Sequence, residues 1–380
     1  MTSHGVPFVR LVVLNWNSGD LLVRCLDSLH RLDWPEERLE VMVIDNASTD
    51  GSVAGLTTSH PGVRLVRNAS NTGFGANNLA LADLDGVDQV GLVNPDVVVE
   101  SGWLRELSQM LIDDPGLGAA CPKILLDDGG EPRIQNAGSL IDSSGNSRDR
   151  GYGDTDGEGY TDSVEVDAWC GAAVLLNAGY LRDVGTFEER FFLYYEDTDL
   201  SWRGRNRDWR FRFVPSAVCR HRHGASTGLE TPAMRRLQAR NRLLAATRNG
   251  SVATIASAWM RTLLGLLRPH PGPRLAGMVA AIGQLGWALR TRAGIRRHPP
   301  RDASSGVVDL RPLSANDWEV VGPEPKFILD ATRIPTGWVR VRAQCVLDNL
   351  SGLTPTLRIV GASDQNPYVV RLGRRGLEGI

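Results

Sequence analysis

The chain has 380 residues, 42% of them hydrophobic and 23% charged, with a formal net charge of -2. That composition describes a globular protein of about two domains and excludes a general affinity of the whole chain for nucleic acid. No run of roughly 18 or more apolar residues marks a membrane span.

The N-terminus shows neither the basic start nor the small-residue cleavage site of a signal peptide. The cysteines, Cys25, Cys121, Cys170, Cys219 and Cys345, are scattered without a Cys-x-x-Cys pair. They argue against a zinc site or a disulfide framework and fit a reducing cytosol.

Residues 8–14 form a short β-branched run that stops at Asn15-Trp16-Asn17. The spacing of Leu21, Leu22, Cys25, Leu26 and Leu29 predicts a helix behind it. Val41-Met42-Val43-Ile44 predicts a second buried strand ending at Asp45, and Ser48-Thr49-Asp50 reads as a helix cap. A third strand is expected at 63–66, a helix at 74–84, and a fourth strand at 89–93 that ends at Asn94-Pro95-Asp96. Strands alternating with helices predict an α/β fold with a parallel sheet. Ligands of such sheets bind beyond the carboxyl ends of the strands. Polar clusters stand at three of these ends: Asn15/Asn17, Asp45/Asn46 and Asn94/Asp96. Their equivalent positions point to one shared crevice.

Residues 127–163, rich in Gly, Asp and Ser, predict loops and a hairpin that could cover a site. Short strands are expected at 211–214 and 217–219, leading to His221-Arg222-His223. Residues 231–301 contain no Asp or Glu but many arginines, with apolar helical stretches at about 252–267 and 275–289. Apolar helices flanked by arginine suit the interface of an anionic membrane; a packed bundle with basic edges is the plainer reading. Residues 301–325 read as a linker. The alternation in 326–380 predicts half-buried antiparallel strands. That module is short for a β-sandwich, which suggests an incomplete one. The expected plan is therefore a catalytic domain over 1–230, amphipathic helices over 231–300, the linker, and a small β-rich module.

The most informative segment is 188–203, where Glu196, Asp197 and Asp199 follow an aromatic run at an expected helix start. A carboxylate held partly out of water has its pKa pushed up and becomes a better base. The plainer reading is helix-end charge pairing with Arg203.

Five stretches in order carry a resemblance: Leu14-Asn15-Trp16-Asn17, the 43–52 run around Asp45, the 71–78 run from Asn71 to Asn78, Asn94-Pro95-Asp96, and the Tyr195-to-Leu200 segment. Over about residues 8–226 the chain resembles the family 2 glycosyltransferases, in their rhamnosyltransferase-like and galactofuranosyltransferase-like branch. The resemblance implies a GT-A (Rossmann-like) fold, a nucleoside-diphosphate sugar donor such as dTDP-rhamnose or a UDP-sugar, a divalent metal (Mg2+ or Mn2+), and inversion at the sugar carbon. It further implies a glycan or glycolipid acceptor in cell-envelope synthesis, and a peripheral place at the inner face of the plasma membrane.

The residue roles follow from the matched positions. Asp45 accepts the imide N–H of uracil or thymine, a role favoured over a helix cap because Asp50 caps better. Asn15 and Asn17 bracket base or ribose, or are turn residues. Asn71 and Gly73 offer N–H groups to phosphate or base, or form a tight turn. Asn94 and Asp96 occupy the place of the Asp-x-Asp metal motif, with Asn94 in place of the first Asp and Asp96 left as the main ligand. His221 or His223 is a second ligand, and the spacing to Gly224 and Ser226 favours His221; a hydrogen-bonding structural His is the other reading. Asp197 is the base, and Glu196 orients it or meets the acceptor. Trp169 and Gly171 resemble the acceptor-side segment, where Trp169 stacks on a sugar or packs in the core.

Two other readings compete. A nucleotidyltransferase needs a Gly-rich, basic N-terminal loop, which Asn15-Trp16-Asn17 does not provide. A carbohydrate-binding scaffold on a degenerate fold is disfavoured by the intact Asp45, Asp96 and Asp197.

Overall fold

The computed structural model describes residues 5–222 and 231–297, and six short strands within 308–377. The chain divides into two compact units, Met1–Pro300 and Arg301–Ile380. His223 and most of the expected 301–325 linker lie outside the described residues.

The first unit is built on a ten-stranded sheet. Its strands are β1 (Val9–Asn15), β2 (Leu39–Asp45), β3 (Val63–Arg67), β4 (Gln89–Val93), β5 (Val97–Val99), β6 (Leu117–Leu126) and β7 (Ile134–Asn136). After a separate hairpin of β8 (Ser139–Ile141) and β9 (Ser147–Asp149) come β10 (Glu165–Val166), β11 (Ala173–Asn177) and β12 (Arg210–His221). The helices are α1 (Leu21–His30), α2 (Leu56–Ser59), α3 (Asn78–Leu81), α4 (Trp103–Asp113), α5 (Ala178–Val184) and α6 (Glu196–Arg205). They continue with α7 (Pro232–Asn249), α8 (Val252–Gly265), α9 (Gly272–Gly283) and α10 (Leu285–Arg297).

The strand order is β10-β12-β6-β11-β4-β1-β2-β3, with β5 paired to β12 and β7 to β6. Strands β3, β2, β1 and β4 run parallel, and β6 and β12 share their direction across the antiparallel strand β11, while β5, β7 and β10 pair antiparallel with β12 or β6. Both faces are covered, which is why these strands read as nearly unbroken apolar runs. Val9, Leu11 and Val13 pack on one face with Leu22, Leu26 and Leu29 of α1 and Trp103 and Leu107 of α4. Val12, Met42, Ile44 and Leu92 face the other side, with Phe74, Tyr180, Leu200 and Phe211.

The basic helices pack as part of the first unit. Leu243, Leu244, Ala245 and Ala246 of α7 are buried with Phe191, Ala258, Ala281 and Ala288. A Cβ on Gly277 of α9 would lie 2.6 Å from Arg236 O, so glycine lets the α9 backbone rest directly on α7. Among the described residues, no helix is long and apolar enough to cross a membrane.

Three local expectations differ from what is found. The helix expected over 74–84 is a 3-10 turn, Gly73–Asn77, followed by the single turn of α3, because Asn77 turns its amide back onto Phe74 O. No helix starts at Asp50; its carboxylate accepts from Gly19 N and Ser52 N instead. The two short strands expected within 211–219 are one strand, β12, with a register shift between Val214 and Val218. In the second unit Lys326–Leu329 pairs parallel with Thr356–Ile359, which pairs antiparallel with Tyr368–Gly373. Val308–Leu310 pairs parallel with Val341–Ala343, so that unit is mixed rather than antiparallel throughout.

Candidate active site

The parallel strands deliver their carboxyl ends to one edge of the sheet. Asn15 ends β1 directly beside Asp45, which ends β2. Asn94 follows β4, and its N–H bonds Ala172 O at the start of the antiparallel β11. His221 ends β12 opposite Val97 of β5. The site is therefore assembled by topology from residues distant in sequence.

Asn15 is fully buried, and its amide nitrogen lies 3.1 Å from Asp45 Oδ1, 3.0 Å from Ser48 Oγ and 2.9 Å from Ser52 Oγ. It holds Asp45 in place and has no surface to offer a base or ribose. Asn17 is exposed with a positive φ, and its Oδ1 accepts from Thr49 N, tying the two loops together. Asn46 binds the next loop: its amide donates to Asn71 Oδ1 (2.9 Å) and Gly73 O (3.1 Å). Asn71 Oδ1 also caps Gly73 N at 2.8 Å. Gly73 has φ +72°, and a Cβ there would strike Phe192 O at 2.0 Å, so only glycine fits this close approach.

Asp96 and His221 stand side by side and buried, with Nε2 3.0 Å from Asp96 Oδ1. His221 Nδ1 lies 2.7 Å from Gln135 Oε1. An imidazole nitrogen and a carboxylate oxygen are both metal donors, and here they stand within 3.0 Å of each other. Among the described residues no three His, Cys, Asp or Glu side chains form a closed cage. An open pair of one carboxylate and one imidazole fits an ion whose other positions are taken by phosphate oxygens and water.

Asp197 lies in the first turn of α6 and is half-buried. Its Oδ2 accepts from Gly171 N (3.1 Å), and its Oδ1 from Thr198 N (2.6 Å). Burial raises its pKa, hydrogen bonds from Gly171 and Thr198 oppose the rise, and the charge of Asp149 adds to it. Gly171 sits just before β11, so a backbone N–H anchors Asp197 to the sheet edge. Glu196 is buried, and burial followed by the Asp197 charge pushes its carboxyl well above the usual range. Its Oε2 has no hydrogen-bond partner among the described residues. Trp169 is 1% exposed and meets Phe187 edge-on, so it packs in the core instead of presenting a face to a sugar. Arg203 pairs with Asp199 at 2.9 Å, leaving Asp197 out of that ion pair.

The turn before Asp197 is strained. Phe192 (φ 65°, ψ -62°) forms a γ-turn closed by Leu193 N to Phe191 O, and Tyr194 and Tyr195 also have positive φ. Such conformations cost about 1–3 kcal/mol each and persist only where the surroundings fix them. Helix α7 does so. The Asn241 amide lies 2.9, 2.9 and 2.7 Å from the carbonyls of Phe191, Leu193 and Tyr194. Arg240 Nη2 donates to Phe191 O at 2.8 Å. Arg248 and Asn249 each reach Asp199 Oδ1 at 2.8 Å. Sequence reasoning missed these residues, although Asn241, Arg248 and Asn249 share one helix face by their spacing.

Residues 11–171 match the family described as Glycosyl transferase family 2. Two curated relatives from Mycobacterium tuberculosis, strains CDC 1551 / Oshkosh and ATCC 25618 / H37Rv, are N-acetylglucosaminyl-diphospho-decaprenol L-rhamnosyltransferases. Each is 30% identical over 238 residues, covering 57% of this chain and 77% of the relative. Among solved structures, GalNAc-T7 with UDP, GalNAc and Mn2+ matches with a TM-score of 0.59 at 13% identity. That match covers 77% of this chain but only 56% of GalNAc-T7, and at such identity it speaks to the fold alone.

Proposed function

The chain belongs to glycosyl transferase family 2 and has the GT-A fold, and on that premise we propose that it is an inverting, metal-dependent hexosyltransferase of cell-envelope glycan synthesis. Its donor is a nucleoside-diphosphate sugar, dTDP-rhamnose or a UDP-sugar, and its acceptor a hydroxyl of a lipid-linked glycan. The observation that carries this reading is the half-buried Asp197, pinned by Gly171 N–H to the sheet edge that also holds Asp45 and the Asp96–His221 pair.

Asp45 receives the imide N–H of the pyrimidine, held in line by Asn15. The Asn46–Asn71–Gly73 network shapes the adjoining loop. Asp96 and His221 hold Mg2+ or Mn2+, and such an ion, when bound, neutralises the charge of a departing diphosphate. Asp197 takes the proton of the acceptor hydroxyl while that oxygen attacks the anomeric carbon opposite the leaving group. The new C–O bond forms as the bond to the diphosphate breaks, so configuration inverts without an enzyme nucleophile. A raised pKa makes Asp197 a stronger base for this step.

The test is donor turnover. A panel of UDP- and dTDP-sugars with Mn2+ yields one donor that slowly releases nucleoside diphosphate, and EDTA stops the release. Sugar binding without release from any donor would contradict the enzyme and favour a scaffold.

A lipid-linked acceptor brings the enzyme to a bilayer, at the inner face of the plasma membrane. Val252, Met260 and Leu267 at α8, and Leu275, Val279 and Ile282 of α9, are exposed. The span 231–301 holds no acid to repel anionic lipid. We therefore expect the protein to sediment with phosphatidylglycerol vesicles and to release in high salt. Protein that stays in the supernatant at low salt would end the membrane assignment.

A further inference from the structure

Gln135 meets the edge of the His221 ring that Asp96 leaves open. It belongs to β7, a strand of three residues, and is 3% exposed. Strands β12 and β7 pair with the same residues of β6: Ile124 with Cys219 and Asn136, and Leu125 with Arg220 and Ile134. They therefore flank β6 on opposite sides. The β6–β7 register passes from Asn136 to Ile134 and skips Gln135, which makes Gln135 the extra residue of a β-bulge. A bulge re-aims a side chain that regular pairing would place elsewhere. Here the side chain reaches across β6 and brings Oε1 to 2.7 Å from His221 Nδ1, 86 residues away in the chain.

The bulge is itself held firmly. The next residue, Asn136, is 1% exposed. Its Oδ1 accepts from Gly138 N at 2.8 Å, and its Nδ2 lies 2.6 Å from Asp149 Oδ1 and 3.0 Å from Ser139 Oγ. Gly138 has φ +89°, and a Cβ there would meet Val166 Cγ1 at 2.4 Å, so the chain leaves β7 through a turn that glycine alone fits. Gln135 thus approaches the imidazole from a fixed backbone. On the opposite edge of the ring, Nε2 lies 3.0 Å from Asp96 Oδ1.

We propose that Gln135 is a positioning residue that orients His221 toward the ion and gives the site a preference for Mn2+ over Mg2+. The proposal rests on the reading of Asp96 and His221 as metal donors. An amide oxygen at Nδ1 accepts that nitrogen's proton, which leaves the Nε2 lone pair for an ion and fixes the ring plane. An amide nitrogen at Nδ1 would put the proton on Nε2, where it bonds Asp96 and excludes a ligand bond. Magnesium is the harder ion and takes oxygen donors, whereas a first-row ion such as manganese also accepts nitrogen. A well-aimed imidazole therefore favours manganese.

Manganese titrated into the full chain measures its affinity without turnover, with the free ion read by electron paramagnetic resonance and Mg2+ added as competitor. Gln135→Leu keeps the bulk of the side chain and removes the acceptor. It should weaken Mn2+ by about ten- to hundredfold and Mg2+ by clearly less, so that the preference shrinks. Gln135→Glu, which can only accept at Nδ1, should keep the wild-type preference. Nitrogen NMR of the histidine rings in the Mg2+-loaded wild type gives a test that needs no variant to fold. A proton on Nδ1 of His221 is expected, and a proton on Nε2 would overturn the assignment. Unchanged Mn2+ affinity in Gln135→Leu, or an equal loss for both ions, would overturn it as well. Wild-type protein that binds no manganese would remove the metal reading of Asp96 and His221 and this role with it. Wild type that binds manganese beside an unaffected Gln135→Leu removes the role of Gln135 alone.

Discussion

Asp197→Asn lowers the rate of transfer by roughly 10²–10⁴-fold and leaves donor affinity nearly unchanged. The asparagine keeps one oxygen for Gly171 N or Thr198 N, which bond different oxygens of Asp197, and the contacts of Asn241 and Asp199 hold the turn and α6 independently of that side chain. What is lost is the ability to take a proton. The carboxylate works only when ionised, and its pKa is raised from 3.8 by burial. The rate should therefore fall toward acid pH along a limb that lies above the ordinary aspartate range. Glu196 does not substitute, because its burial, which stays when the Asp197 charge is gone, pushes its carboxyl above the usual range. Initial rates and donor binding, measured side by side across pH, check both parts. A variant that keeps more than about a tenth of the wild-type rate would remove Asp197 from the role of base.

Asp199→Ala lowers the stability of the first unit by about 3–5 kcal/mol, the usual consequence of breaking one side of a buried ion pair. Asp199 is fully buried and accepts from Arg203 Nε (2.9 Å), Arg248 Nη1 (2.8 Å) and Asn249 Nδ2 (2.8 Å). Removing it leaves two buried guanidiniums facing each other. Arg203 keeps the carbonyls of Val184 and Thr186, and Arg248 keeps Glu188 at 3.7 Å and the Trp287 ring at 4.9 Å. These partners soften the loss without replacing the central charge. Urea unfolding of wild type and variant measures the difference. A change under about 1 kcal/mol would show that the cluster is not what joins α6 to α7.

The two residues divide the work of one short motif. In the sequence they are two acids in one helical turn, and the helix period, which turns the side chain of Asp199 away from that of Asp197, already marks Asp199 as structural. The structure separates them by what lies behind each. Asp197 faces the sheet edge through Gly171, and Asp199 faces α7. The basic helices are therefore part of how the segment carrying Asp197 is held. Asn241 binds the strained Phe191–Tyr194 carbonyls, and Asp199 ties the next turn to the same helix.

The sheet was legible because its strands are apolar on both faces and stop at polar residues, as at Asn15, Asp45 and Asn94. The grouping of Asn15, Asp45 and Asn94/Asp96 at one edge followed from parallel strand direction, whereas His221 was expected there only from the family resemblance. The role of Asn15 was not legible. A strand-end asparagine looks the same whether it meets ligand or, as here, supports the neighbouring carboxylate. Gly171 carries its function on a backbone N–H, which leaves no mark in the side-chain pattern. The partners of α7 were hidden for a different reason: Asn241 acts on carbonyls about fifty residues earlier in the chain. Helical periodicity identifies the face but not what it touches.

Crystals grown with the turned-over nucleoside diphosphate and Mn2+ test the central claim most directly. Anomalous scattering should place manganese against Asp96 and His221, with the pyrimidine edge at Asp45 and the diphosphate between them. Manganese bound elsewhere, or a nucleotide lying outside the edge formed by β1, β2 and β4, would contradict the account.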